Sequence, residues 1–145
     1  MAQTDDASRR DDARQIEAII VALEEASNEA NPDKAEAVMW LEDERFSEIE
    51  DFVPEPFGAD VVRQIHEWTR ENAEPGDNVH FTDISVHLLS STVAYATAIQ
   101  ELHYDDEVGA SRATLVFLKK NDRWGLIHSH YSAMPEEEEL EDEKE

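Results

Sequence analysis

The chain of 145 residues contains no cysteine and only four glycines. The lack of cysteine excludes disulfides, thiolate metal sites and a cysteine nucleophile. The scarcity of glycine agrees with the absence of a phosphate loop, a dinucleotide-binding fingerprint and a nucleophile elbow from the sequence. No apolar run approaches the roughly 20 residues of a membrane span, and the polar first residues do not resemble a secretory signal. We therefore expect one cytoplasmic domain, since domains typically hold ~100–200 residues.

Basic residues are also scarce, because 12 lysines and arginines face 36 acids and leave a net charge of −24. Such a surface repels nucleic acid and anionic membranes, since phosphate binding needs basic side chains. We expect neither as a partner. The acid-rich, lysine-poor composition resembles that of cytoplasmic proteins from salt-loving microbes, in which salt screens the repulsion between carboxylates. The alternative is an ordinary acidic protein with an acidic tail.

The first half of the chain has helical patterning. A helix is predicted from Asp11, because apolar residues recur at helical spacing; these are Ile16, Ile19, Ile20, Leu23 and Ala26. A second, short helix is predicted over Lys34–Trp40 and a third over Ala59–Asn72. Between them, Arg45–Asp51 is ambiguous and is assigned as a short strand, mainly from the order of elements.

The second half has the texture of strands. Four segments rich in β-branched and aromatic residues are separated by short polar connections, which predicts hairpins in an antiparallel meander; they are Val79–Leu89, Thr92–Tyr104, Ala110–Lys120 and Arg123–Met134. Strands of this length bend, and a curved sheet has a concave side to fill. The pattern predicts an α+β domain over residues 11–134, with disordered residues 1–10 and a disordered acidic tail, 135–145.

The last predicted hairpin carries the most distinctive polar residues. Strict alternation puts Trp124, His128 and His130 on one face, with Arg112 on the neighbouring strand. An arginine beside two histidines is suited to holding an anion such as a carboxylate. The alternatives are structural histidines, an ion pair of Arg112 with one of the many acids, or a two-histidine metal site. We expect no metal, because no acid stands at a matching motif position.

The same segment resembles a known family. Arg112-x-Thr114 followed by Trp124-x-x-Ile127-His128-x-His130-x-Ser132 resembles the end of SnoaL-like domains, and it is similar to the association domain of calmodulin-dependent protein kinase II. Both belong to the nuclear-transport-factor-2-like superfamily. The resemblance implies a cone of three N-terminal helices packed on a strongly curved, mainly antiparallel sheet (α-α-β-α-β-β-β-β). It also implies a homodimer or larger homo-oligomer and a pocket lined from these strands; we expect no cofactor.

A second resemblance lies between Phe46 and Gly58, a segment similar to that of ketosteroid isomerases in which an aspartate takes the substrate proton. By that match Asp51 is the general base. The first helix lacks the tyrosine that supplies the family's usual oxyanion donor, and the alternative is that Asp51 is a turn-capping or surface acid. Trp40 and Trp68 lie on predicted helices, either in the core or as a pocket roof with ligand contacts.

Three functions remain open from the sequence. The first is binding of a small organic molecule, with a carboxylate as one candidate, near Arg112, Trp124, His128 and His130. The second is an isomerase, cyclase or dehydratase of the same fold with Asp51 as base. The third is an assembly module without activity. A fold alone does not choose among these functions.

Overall fold

A computed structural model describes residues 2–51 and 53–134 and contains three helices and five strands within those ranges. The elements are α1 (Ala2–Asn28), α2 (Pro32–Glu36), β1 (Ser47–Ile49), α3 (Ala59–Asn72), β2 (Val79–Leu88), β3 (Val93–Tyr104), β4 (Glu107–Lys120) and β5 (Arg123–Ala133). The order is the one that the sequence predicts. Within the described ranges, none of the helices is both long and apolar enough to cross a membrane.

Helix α1 is longer than its apolar pattern predicts. It begins at Ala2 rather than Asp11, so the segment expected to be disordered is helical from Ala2 onward. The predicted stripe is in the core, with Ile16 and Ile20 almost fully buried. The last helical residue, Asn28, ties the helix to the sheet: its Oδ1 accepts hydrogen bonds from two backbone amides at the start of β2, and its Nδ2 donates to the Val79 carbonyl at 2.9 Å.

The strands form one sheet in the order β1-β5-β4-β3-β2. The meander β2 to β5 is antiparallel as predicted, and β1 adds to its edge parallel to β5. The connections at Asp105-Asp106 and Asn121-Asp122 have both residues at positive φ. That geometry suits two-residue hairpin turns whose twist matches that of the flanking strands.

Element boundaries account for most differences from the sequence prediction. Helix α2 is shorter than expected and ends at Glu36, while α3 has the predicted bounds. Strand β1 has only the three residues Ser47–Ile49, where Arg45–Asp51 was expected. The predicted acidic tail, 135–145, lies outside the described residues.

The two faces of the sheet have opposite character. Directly paired residues point to the same side, and one row across the sheet joins Ala96, Leu115 and Ser129, all fully buried. The adjacent row joins Thr97, Thr114 and His130, all exposed. The buried row belongs to the face under the helices, where it meets the isoleucines of α1. No helix or loop of residues 2–51 and 53–134 covers the other face.

Candidate functional site

A cavity of about 180 Å³ lies between the helices and the concave face of the sheet. About half of its wall is apolar and comes from several elements; the side chains include Leu23, Met39, Val62, Ile65, Phe81 and Leu126. Its polar groups are Glu48, Glu50, His66, Gln100 and Tyr131, with Ser27 beside them. A cavity that combines apolar side chains with convergent polar groups is suited to a small molecule.

Strand β1 brings two carboxylates to this cavity. Glu48 pairs with the buried Ser129, whereas its neighbour Ile49 pairs with the exposed His130. Because side chains alternate along a strand, Glu48 shares the concave side with Ser129, and Glu50 follows on the same side. The Glu48 backbone is also bonded to the next loop, with its N–H donating to the Phe57 carbonyl at 2.8 Å and its carbonyl accepting from the Phe57 N–H at 3.0 Å.

The surroundings of this pair disfavour negative charge. Burial raises the pKa of Glu48 to about 7, and the charge of Glu50 adds to that shift while the Ser129 hydroxyl opposes it. Burial likewise raises the pKa of Glu50 to about 7, with a further contribution from Asp51. Carboxyl groups that exchange protons near neutral pH are suited to general acid–base chemistry.

Two hydroxyl groups stand beside the pair. Burial and the charges of Glu48 and Glu50 raise the pKa of Tyr131 well above its usual range, so its phenol stays protonated and can donate a hydrogen bond. The Ser129 hydroxyl is fully buried next to them, and its hydrogen bonding opposes the rise in the pKa of both Glu48 and Tyr131. It therefore supports the polar groups of this wall, although Ser129 is not itself one of the cavity's lining residues.

His66 of α3 completes the polar wall in a fixed orientation. Its Nδ1 lies 2.8 Å from Glu36 Oε2, which also accepts a hydrogen bond from Arg70 at 2.9 Å. Arg70 bonds Asp33 as well, at 2.6 Å. These contacts bind α3 to α2, and they leave Nε2 as the ring nitrogen that can serve a molecule in the cavity.

Asp51 does not lie in the cavity. It is exposed, and its carboxylate accepts a hydrogen bond from the backbone amide of Ala133 at the end of β5. This contact corresponds to the capping alternative from the sequence rather than to the placement that a general base requires. The carboxylates at the cavity are its near neighbours Glu48 and Glu50, which sequence reasoning missed. The only signal was the two-residue spacing of Phe46, Glu48 and Glu50, which is too short a pattern to identify a strand face from the sequence.

The prediction that Arg112, His128 and His130 line the pocket is wrong, since all three project from the uncovered face. Val116 pairs with His128 but Phe117 pairs with Leu126, so Ile127 is an extra residue in β5. A bulge of this kind reverses the alternation, and it separates Leu126 on the concave side from the histidines on the other. His128 Nδ1 lies 2.9 Å from the Ser47 hydroxyl, and Arg112 donates to the Ala133 carbonyl at 3.3 Å.

The three tryptophans are also outside the cavity wall. Trp124 is buried in the core, where its indole N–H donates to Asp12 at 2.9 Å. Trp40 is buried against Gly125 and donates to the Leu118 carbonyl at 2.9 Å, while Trp68 on α3 is 62% exposed. No cluster of three histidine, cysteine or acidic side chains that is suited to a metal occurs in the part of the chain that the structure describes.

A larger and more open concavity of about 720 Å³ lies beside the loop 53–58. Its wall combines apolar residues such as Phe46 and Phe57 with the exposed acids Glu42, Glu44 and Glu55. The paired carboxylates with raised pKa, the oriented histidine and the Tyr131 phenol are at the smaller cavity instead. Because chemistry needs converging polar groups more than volume, we take the smaller cavity as the candidate site.

Three helices over one face of a curved sheet, with a cavity between them, define a cone of the nuclear-transport-factor-2-like class. The sequence profile of the SnoaL-like domain matches residues 16–136, so the chain belongs to the SnoaL-like domain family. No curated protein matches the chain closely enough to add a relative.

Solved structures share this fold at low sequence identity. A nuclear-transport-factor-2-like protein of unknown function from Shewanella oneidensis is 21% identical with a TM-score of 0.70, over 83% of this chain and 98% of that one. The association domain of calcium/calmodulin-dependent protein kinase II from C. elegans is 15% identical with a TM-score of 0.64, over 89% and 98%. A candidate ketosteroid isomerase from Parabacteroides distasonis is 18% identical with a TM-score of 0.62, over 80% and 85%.

Proposed function

We propose that this protein binds a small organic molecule in its cone cavity and transfers a proton there, with the Glu48 and Glu50 pair as acid and base. The observation that carries this proposal is the placement of two carboxylates with raised pKa on an apolar cavity wall. The similarity to a candidate ketosteroid isomerase supports the same reaction class. In this proposal Glu48 and Glu50 take the place of Asp51 as the base, and the reaction class remains that of an isomerase or dehydratase.

The residues divide the work of such a reaction. An ionised glutamate accepts a proton from a carbon or oxygen acid of the bound molecule, and the protonated form returns it at another atom. The Tyr131 phenol donates a hydrogen bond that stabilises the oxygen on which negative charge develops. The carboxyl groups of Glu48 and Glu50 are half-buried, and the partial removal of water strengthens each electrostatic contact.

Hydrogen–deuterium exchange of cyclohexanone, followed by NMR, tests this proposal without knowledge of the natural substrate. We expect the protein to accelerate exchange at the carbon next to the carbonyl. Replacing the base removes roughly 10²–10⁴-fold of such an acceleration, so Glu48→Gln or Glu50→Gln lowers it strongly. Glu67→Gln, which removes an exposed acid of α3, leaves it unchanged. Equal rates in the parent and both cavity variants would contradict the proposal.

A second role, homo-oligomerisation, is favoured by the uncovered face of the sheet. Apolar side chains including Tyr95, Ile99, Val108 and Val116 are partly or fully exposed on it beside Arg112 and the two histidines. We infer that two copies associate through this face, in keeping with the likeness to an association domain.

Light scattering after size-exclusion chromatography tests this association. Thr114→Glu places a charge in the middle of the face, and we expect it to yield monomers. Gln64→Glu adds the same charge on an exposed position of α3 and leaves the mass unchanged. A monomeric parent protein would refute the assembly.

A further inference from the structure

The ionisable groups at the cavity have an unusual balance of charge. Among the described residues that line it, Glu48 and Glu50 are acids, His66 already faces the carboxylate of Glu36, and there is no lysine or arginine. Arg70, which contacts the same Glu36, bonds Asp33 and Glu36. Within residues 2–51 and 53–134, the carboxylate pair therefore has no lysine or arginine partner on the cavity wall, although buried charges are ordinarily paired.

We infer that the cavity takes a compact cationic ligand, an organic amine with an apolar body, whose ammonium group lies against the Glu48 and Glu50 carboxylates. This inference rests on the proposed function and names the class of molecule that the same site accepts. An anion is disfavoured because it would meet two acids, and the Arg112 side chain that favoured a carboxylate projects from the opposite face of the sheet.

Groups beside the acids suit the rest of an ammonium ion. An ammonium group carries up to three N–H donors, and in a small space two carboxylates accept hydrogen bonds from only some of these donors. The side-chain carbonyl of Gln100, which lines the same cavity, is a further acceptor for these donors. The aromatic rings of Phe81 and Tyr131 also line the cavity, and a ring face attracts a cation.

The size of the cavity limits the apolar body. Its volume is about 180 Å³, and an engineered protein cavity of roughly 150 Å³ is known to hold benzene. A single ring with a one-carbon amine therefore fits, whereas a fused polycyclic molecule does not fit without rearrangement. A bound cation also stabilises the ionised forms of Glu48 and Glu50, because its charge compensates for the hydration that burial removes from both carboxylates.

Benzylamine, benzyl alcohol and benzoate test the inference, because they share a ring and differ in charge. Binding to the full chain is measured by calorimetry at pH 8 in about 1 M NaCl, which shortens the screening length to roughly 3 Å and suppresses attraction to the acidic surface. We expect benzylamine to bind roughly ten- to a hundredfold more tightly than benzyl alcohol, as charged hydrogen bonds predict, and benzoate to bind most weakly.

Two double variants locate the effect. Glu48→Gln with Glu50→Gln abolishes the preference for benzylamine over benzyl alcohol, whereas Glu67→Gln with Glu71→Gln, which removes two exposed acids of α3, retains it. If benzyl alcohol or benzoate binds the parent as tightly as benzylamine, the amine inference is wrong and the cavity remains a binding site. If none of the three compounds binds but the protein still accelerates cyclohexanone exchange, the amine inference is wrong and the proposed function stands. If none binds and exchange is not accelerated, both the inference and the proposed function are wrong.

Discussion

Replacing Glu48 by glutamine should make the protein more stable at neutral and alkaline pH. The substitution keeps the size and shape of the side chain but removes the group that ionises. In the folded chain the pKa of Glu48 is raised to about 7, mainly by burial, against an ordinary value of 4.5. The folded state therefore holds the Glu48 proton more tightly than the unfolded state does.

The direction of the pH dependence follows from this difference. Between about pH 4.5 and 7 the folded protein binds more protons than the unfolded chain, so the free energy of unfolding falls as pH rises and levels off above 7. At about 1.4 kcal/mol per pKa unit, the loss accumulated by pH 8 is at most about 3.5 kcal/mol. Part of it depends on the charge of Glu50, and Glu48 keeps some contact with solvent, so we expect roughly 1–3 kcal/mol.

Urea unfolding of the parent, Glu48→Gln and Glu67→Gln at pH 4, 6 and 8 measures this effect. Glu67→Gln removes the same charge from an exposed position of α3. It therefore corrects for the reduced charge repulsion that follows the loss of any one acid from a chain with a net charge of −24. After this correction, Glu48→Gln should be neutral at pH 4 and stabilising at pH 8. A difference that is the same at both pH values, or a loss of stability at pH 8, would refute the assigned environment of Glu48.

Three further predictions concern packing, helix docking and salt. A Cβ atom at Gly125 would meet the indole of Trp40 at 2.6 Å, whereas one at Gly109 would meet nothing within 4 Å. Gly125→Ala should therefore lower the free energy of unfolding in urea by about 1–3 kcal/mol. An equal loss for Gly109→Ala would contradict this prediction. Asn28→Ala loses three hydrogen bonds to the start of β2 and should cost about 2–4 kcal/mol in the same assay. If the acidic composition is an adaptation to salt, the midpoint temperature of thermal unfolding should rise steadily with NaCl concentration. A midpoint temperature that does not change with salt would reject that interpretation.

Much of the fold follows from local patterns in the sequence. Helix α3 and the four long strands have strong periodicity and clear turn residues, and the structure has them where the patterns predict. Strand β1 is only three residues long, so its alternation is too brief to separate from noise. Its parallel partner β5 lies about 80 positions away in the chain, and no local pattern reveals such a pairing.

The site was harder to predict because it depends on one extra residue. Alternation along β5 predicts a common face for Trp124, His128 and His130, and this holds in any regular strand. Ile127 interrupts the ladder, so Trp124 stays in the core while both histidines turn outward. A bulge has no fixed sequence signature, and the direction of every later side chain changes with it. The prediction of Asp51 was wrong for a simpler reason, since Asp51 lies one position after Glu50, the acid that faces the cavity.

The two hydrogen bonds between the backbones of Glu48 and Phe57 have a mechanical consequence. Phe57 belongs to the wall of the large open concavity, while the Glu48 side chain belongs to the wall of the small cavity. A shift of the loop must either drag the acid with it or break two hydrogen bonds. A molecule that displaced the loop at Phe57 would therefore also act on the backbone that carries the Glu48 carboxyl.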